Sequence, residues 1–351
     1  MRMSSSYSLR KVYEITFLIL LGIYVLGLSA CIPLSYVEPT PVFANHVVEE
    51  TNGLTELWSR DDVYVMRRDK ALDVSMGIGC FIGDLGKALK YDQITCFESE
   101  TGKILWKKEE AAKNGLLAAT PIGVFVAHTG FHNTLSRYDL QSGNLIWRKK
   151  WYESNPTDLL FFDNQIQLST WKPGQDLRVF DTDGNVLKFI NNTDAFLTTP
   201  DVTYLTVTGL QAVRTGTNDI LWEHIDTGLS LTPMITQDKI LCRSESNSGM
   251  AYALDRKTGE LLWQVRDIVY SSSLAYSSER QLVYALNNNG DLLAIDENTG
   301  ETNIAAKFSS TPFLLNVAGT AQAYELAYDQ KQHILLVSLG DSHQLYAFRE
   351  E

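Results

Sequence analysis

The chain has 351 residues, 44% of them hydrophobic and 21% charged, an ordinary globular balance that argues against general disorder. Its formal net charge of -12 comes from 30 Lys+Arg against 42 Asp+Glu, so it lacks the basic footprint with which a nucleic-acid binder displaces counterions, and that class is set aside. Four cysteines are too few for a disulfide-rich scaffold.

The N-terminus reads as a targeting segment. Arg2, Arg10 and Lys11 precede an uncharged apolar run, Ile15 to Leu28, which is short for a membrane span of about 20 residues. Leu28-Ser29-Ala30-Cys31 follows directly. This stretch resembles the bacterial lipobox, in which cleavage precedes a cysteine that is lipidated at its thiol. Residues 1–30 are then a signal peptide, and residues 31–53, with Pro33, Pro39 and Pro41, are the lipidated Cys31 and a tether. The alternative is an uncleaved anchor running on through Ile32, Pro33 and Leu34. An acidic body avoids anionic headgroups, which suits attachment by an anchor and not by the protein surface.

From residue 54 to 351 one motif repeats. Cys96–Trp106, Arg137–Trp147, Ala212–Trp222, Ala253–Trp263 and Ala294–Ile304 share a form, and Val179–Lys188 is a shorter sixth copy. The copies end at 106, 147, 188, 222, 263 and 304, so the spacing is 41 residues with one step of 34. In the clearest copy an alternating strand, Met250 to Leu254, meets Asp255. Gly259 then permits the positive φ of a tight turn, and a second strand ends on Trp263. Gly102, Gly143, Gly184 and Gly300 stand in the corresponding turns. Upstream, Leu231–Thr236 and Lys239–Arg243 are strand-like. Four short strands per copy describe one propeller blade, and no amphipathic helix of 12 or more residues is visible after Cys31. The chain ends on Leu345–Phe348, half a hairpin, whose other half is supplied by Leu54–Trp58. The expected fold is therefore all-β, a single propeller of seven four-stranded antiparallel blades closed by N- and C-terminal strands in one blade.

The motif A-x-D-x-x-T-G-x-x-x-W resembles the PQQ-type (pyrroloquinoline-quinone) β-propeller repeat, and Ala253, Asp255, Thr258, Gly259 and Trp263 match it position by position. The resemblance covers about residues 54–348. It implies that Trp58, Trp106, Trp147, Trp222 and Trp263 pack between neighbouring blades as structural residues. Lys188 and Ile304 depart from the pattern, so contacts after blades three and six are expected to differ. A lipidated, acidic, free-standing propeller is similar to the BamB family of outer-membrane assembly lipoproteins, which implies eight blades where seven are counted here.

Catalytic signals are lacking. Quinone-dependent dehydrogenases often carry an adjacent Cys-Cys pair, and none occurs. The recurring Asp139, Asp181, Asp255 and Asp296 read as turn acceptors for nearby N–H groups. Asp181-Thr-Asp183-Gly-Asn185 opens like a calcium loop, yet the twelfth position is Asn192 and flanking helices are missing. His128 and His132 fall in a hairpin loop and read as a solvated turn. No P-loop, Rossmann fingerprint, nucleophile elbow or H-E-x-x-H is present. Catalytic residues, cofactor and metal are therefore all expected to be none. Cys80 and Cys96 lie on adjacent strands of blade one, centred on residue 88, either as buried small hydrophobes or as a cross-strand disulfide. The matching pair in blade five reads as Cys242 and Ala253.

The short repeat turns share one face of the disc. The opposite face carries the loops Gly83–Gln93, His128–Thr134, Trp171–Asp176 and Ser244–Gly249 and the connection Lys149–Pro156, where the copies diverge most. Phe131, Trp151 and Trp171 are aromatics outside the motif and candidates for a partner face, or else covers for loop-to-blade seams. The function expected is a non-catalytic, membrane-anchored, extracytoplasmic scaffold presenting loops to a protein or envelope partner. It is expected to be a monomer that binds no nucleic acid. The alternative is a sensor binding a quinone or sugar in the axial channel, or a PQQ-dependent oxidoreductase.

Overall fold

The structure is a computed structural model that describes residues 46–65, 70–85, 93–109, 115–128, 133–151, 155–171, 176–190, 195–206, 209–217, 219–225, 233–244, 249–269, 272–309, 324–340 and 342–351. Every regular element among them is a strand, and the strands form seven antiparallel sheets. The fold is the seven-bladed propeller that the repeat spacing implies.

Blade five shows the plan. From the axis outward it runs Met234–Ile235, Lys239–Ser244, Met250–Asp255 and Leu261–Arg266, each strand pairing with the next in sequence. Blades two, three and four, within residues 116–151, 155–190 and 195–225, repeat it. In blade one the innermost strand is broken in two, Val63–Val65 and Leu72–Ser75, both paired to Ile78–Leu85. Middle strands are buried on both faces and so read as continuous apolar runs: Gly123–His128 and Ile334–Leu339 are buried at every position.

Closure follows the split-blade reading. Blade seven is Tyr324–Asp329, Ile334–Leu339, Gln344–Glu350 and then Leu54–Arg60, so the last strand comes from the N-terminal side. Trp58 lies opposite Ala347, as Trp263 lies opposite Ala253 and Trp222 opposite Ala212. A bulge follows each of these pairs and turns the outer strand so that the Trp faces inward.

The ring gathers chain upstream of Leu54, inside the stretch read as tether. Val48–Thr51 adds a fifth strand to the outer edge of blade six, against Thr302–Phe308. Its sequence, VEET, has no apolar alternation: Val48 is half-buried against the core, the next three residues are exposed, and the strand is held by backbone pairing and by the Lys307–Glu50 ion pair at 3.2 Å. His46 is buried. Its N–H donates to Gln344 Oε1 at 2.8 Å, and its carbonyl accepts from Gln344 Nε2 at 2.9 Å and the Tyr346 hydroxyl at 2.6 Å. Gln344 begins the third strand of blade seven, so the chain enters the ring on the divergent-loop face.

Blade seams and a candidate interaction face

Five seams are closed by one device. Each motif indole donates its Nε1–H to a carbonyl in the repeat turn of the next blade: Trp58 to Ser99 at 2.9 Å, Trp106 to Leu140 at 3.0 Å, Trp147 to Thr182 at 2.9 Å, Trp222 to Arg256 at 3.1 Å and Trp263 to Glu297 at 2.7 Å. The ring then lies flat on the turn glycine. A Cβ on Gly259 would come within 2.5 Å of Trp222, and one on Gly143 within 2.5 Å of Trp106. Gly102, Gly184 and Gly300 meet Trp58, Trp147 and Trp263 in the same way, and all five glycines have positive φ. Glycine here meets two demands together, left-handed backbone and contact with an aromatic face.

The turn aspartates serve the backbone. Asp255 accepts from the N–H of Lys257 and of Thr258, both at 2.8 Å, and Asp296 from Asn298 at 2.9 Å and Thr299 at 2.8 Å. Those amides hold both carboxyls below the usual range, while the Ser142 hydroxyl and the Asn185 side chain do so for Asp139 and Asp181. Asp181 uses both carboxylate oxygens on Asn185 and Asp183. His128 is buried in its strand, with Nε2 at 2.6 Å from Thr134 Oγ1, because it sits one residue inside the loop boundary. His132 lies outside the described residues. Among the described residues no group of three or more His, Cys, Asp or Glu comes together that could hold a metal ion.

Two seams lack the indole. After blade six, the bulge has moved: Ile304 lies opposite Leu293, and the register breaks beyond it, between Leu292 and Leu293. A one-residue slip turns the side chain to the other face, and Ile304 is 38% exposed where Trp263 is 6%. That seam is held instead at Glu350, whose buried carboxylate accepts from Ser277 Oγ at 2.9 Å, Tyr284 OH at 2.5 Å and Tyr328 OH. Burial and this carboxylate raise both phenols above their ordinary range. After blade three, Lys188 occupies the position opposite Val179 and donates to Thr198 Oγ1 at 3.3 Å. A cavity of about 250 Å³ lies beside it.

Cys80 and Cys96 are directly opposite on neighbouring strands, 4.1 Å apart at Cα, and joined as a disulfide. Cys242 is buried, is not disulfide-bonded and lies opposite Tyr252; the residue opposite Ala253 is Leu241, so the blade-five pairing is shifted by one from the sequence reading. A second cavity of about 400 Å³ occupies the axial channel, lined by the inner strands and by Lys70, Asp73, Arg243 and Glu325. Burial pushes the Asp73 carboxyl up to about 6 against the pull of Lys70 and of the Val74 and Ala119 amides. Motif counting does not reach these four, because they sit on the first or second strand of a blade, or in the break of blade one's inner strand, outside the repeat hairpin.

On the divergent face, Trp151 and Trp171 end strands Leu145–Trp151 and Gln165–Trp171. Their side chains lie outside what is described, as do Phe131 and Cys31 altogether.

A closed ring whose motif indoles and turn glycines join successive blades is a PQQ-type repeat propeller. The chain belongs to the family described as outer membrane protein assembly factor BamB, matched over residues 56–186 and 196–323. No curated protein sequence matches it. Solved structures similar to it include BamB from Moraxella catarrhalis, at 15% identity over 84% of this chain and 99% of that one, with a TM-score of 0.48. The β-propeller domain of Myceliophteria thermophila Cps50 (Swd1) is 13% identical over 87% of this chain and 99% of that one, with a TM-score of 0.58. The computationally designed Ika8 protein is 13% identical over 84% of this chain and 98% of that one, with a TM-score of 0.52. At such identities the likeness concerns the fold alone.

Proposed function

We propose that this chain is a non-catalytic scaffold held at a bacterial membrane by lipid on Cys31, with the divergent loops presented to a protein or envelope partner. One observation carries the reading: the repeat positions are spent on joining blades, while the variation is collected in loops of a single face. The chain also enters the ring on that face, at His46, which leaves residues 32–45 as a tether of at most about 50 Å between lipid and ring. The partner is therefore sought close to the membrane. Cys31→Ala should abolish lipid labelling and release the protein from membranes. Continued acylation of that variant would reject the anchor. Trp151→Ala and Trp171→Ala should weaken partner capture from detergent-solubilised membranes at nearly unchanged thermal stability; if both unfold, these residues are structural.

The axial cavity supports a second reading, a small-molecule sensor. Under the scaffold reading, added PQQ leaves the melting temperature unchanged. A marked rise would favour the sensor or a quinone-dependent enzyme.

A further inference from the structure

The net charge of -12 conceals a local reversal. Residues 103–151 carry eight Lys+Arg against three Asp+Glu. Five of these cations fall on two outer strands, Ile104–Glu109 of blade one, ILWKKE, and Leu145–Trp151 of blade two, LIWRKKW. Lysine is a common means of blunting an unpaired sheet edge. Edge protection alone does not account for the pattern. The outer strands of blades three and four, VLKFI and ILWEHI, end their sheets in the same way and expose Val186, Phe189, Ile220 and Ile225, yet carry one lysine between them.

The two strands hold their cations at the divergent-face end. Lys107 lies opposite Thr95 and Lys150 opposite Thr134, close to where the third strand of each blade begins, and both lysines are exposed. Lys108 and Lys149 alternate with them and lean on the next blade. Lys108 Nζ donates to the Gly143 carbonyl at 3.3 Å, and the Lys149 stem lies against Gly184. Arg148 donates to Ser136 Oγ at 2.9 Å and to Tyr138 OH at 2.8 Å. These partners carry no charge, so they position the cations without cancelling them. Among the described residues the ion pairs of lysine involve Lys103, Lys239 and Lys307 and none of these four. The acids at this edge are Glu109, exposed at the end of its strand, and Asp62, whose carboxyl is held low by its bond to Arg60, with Lys107 adding to the effect.

We propose that this rim docks on a membrane surface of anionic phospholipid. The inference rests on the lipid anchor proposed above. The tether decides the occupant. It joins the ring on the divergent face, through His46 at blade seven and Val48–Thr51 on blade six, and blade seven adjoins blade one through Trp58. With at most about 50 Å of chain between lipid and ring, the membrane lies within reach of the face that carries the cations. Exposed charges interact over about 8 Å at physiological ionic strength. The rim therefore responds to headgroups beside it and not to the acids across the ring. Anionic headgroups attract each Lys or Arg brought close to them. The anchor supplies the attachment, and the rim fixes which edge of the disc meets the lipid. Docked by blades one and two, the ring leaves the divergent loops of blades three to five clear for a partner.

The test places the mature lipidated chain on vesicles of phosphatidylcholine alone and of phosphatidylcholine with phosphatidylglycerol, and reads lysine acetylation by mass spectrometry. Lys107, Lys149 and Lys150 should react roughly three- to fivefold more slowly on the anionic vesicles, and high salt should remove the difference. Lys257, exposed in the blade-five repeat turn, should react alike on both. Lys107→Gln with Lys150→Gln should return Lys149 to its neutral-vesicle rate. Lys107→Arg with Lys150→Arg keeps the charge and should preserve the protection. Equal rates on the two vesicles, or protection that survives the Gln pair, overturns the proposal. Protection of Lys149 by hexaglutamate on neutral vesicles, equal to that given by the lipid at matched charge, would assign the rim to an acidic protein segment and also overturn it. A chain that does not float with neutral vesicles rejects the anchor and the docking together; one that floats and shows equal acetylation rejects the docking alone.

Discussion

The seam after blade four and the seam after blade three use the same strands, the same outer-strand bulge and nearly the same residue count, yet they are closed differently. After blade four, Trp222 covers Gly259 and bonds the Arg256 carbonyl. After blade three, the tie has moved inward to Gln167 and Thr198, and the outer space is open beside Lys188. The comparison separates two roles that the motif Trp combines. Joining blades can be done by buried amide and hydroxyl bonds near the axis, whereas excluding water from the outer seam takes an aromatic face. A ring can therefore dispense with an indole at one seam and remain closed.

The largest expected effect asks whether any single seam matters as much as closure. Deleting residues 344–351 removes the strand on which Leu54–Arg60 pairs and the Glu350 clamp to Ser277, Tyr284 and Tyr328. It should cost most of a domain's stability, on the order of 5–15 kcal/mol, and abolish a cooperative melt by circular dichroism. An unchanged melting temperature would reject the split blade.

Next in size is the direct contrast between seams. Trp263→Ala should destabilise by about 3–5 kcal/mol in urea unfolding, because a nearly buried indole leaves a cavity and an unpaired Glu297 carbonyl. Lys188→Ala should cost less than about 1 kcal/mol, since its one bond is to a hydroxyl that has other partners. Equal costs would dissolve the distinction between the two kinds of seam.

Much of this was legible before any coordinates. A period of 41 residues fixes the hairpin, the blade count and the split blade, since each copy must bury the same faces against its neighbours. Trp and Gly in fixed register announce the seams where they occur, and their loss at Lys188 marks the seam that differs. What replaces them was not legible. Gln167 and Thr198 belong to strands outside the repeat motif, and Glu350 is a charged residue at the chain end, a place that usually signals a solvated tail. The Val48–Thr51 strand was hidden because backbone pairing leaves no side-chain period. The blade-five register was missed by one residue, since a loop's centre does not show whether it holds an odd or even number of residues.

Blade one offers a covalent version of the same contrast. The Cys80–Cys96 bond closes a sequence separation of 16, worth about 3 kcal/mol by loop entropy, within a blade whose inner strand is broken. Cys80→Ala with Cys96→Ala should lower stability by about that amount. Alkylation under denaturing, non-reducing conditions should label only Cys242 in the mature chain, if Cys31 carries lipid; labelling of all three remaining thiols would show that no bridge forms.

The smallest effect distinguishes the inner ends of the seams from their outer turns, and pH reads it. Asp73 joins blade one to blade two near the axis, accepting the Ala119 N–H at 2.9 Å. Burial lifts its carboxyl to about 6. A carboxyl whose folded value is raised contributes stability that is fully present below its unfolded value, near 4, and lost as pH rises through about 6. Asp255 and Asp296 behave oppositely. Their turn amides depress both carboxyls, so their contribution is present above the ordinary carboxylate range and disappears as acid protonates them below it. Between pH 7.5 and 5 the axial carboxyl should therefore gain stability for the ring while the turns stay intact. Asp73→Asn keeps an oxygen for the Ala119 amide and removes the titration. The melting temperature of the wild-type chain, measured relative to this variant, should rise from pH 7.5 to pH 5. Asp255→Asn should produce no such rise, and should instead narrow its gap to wild type only at more acidic pH. Parallel curves for wild type and Asp73→Asn would mean that the axial carboxyl is solvated, and that the inner ends of the seams are no drier than the outer turns.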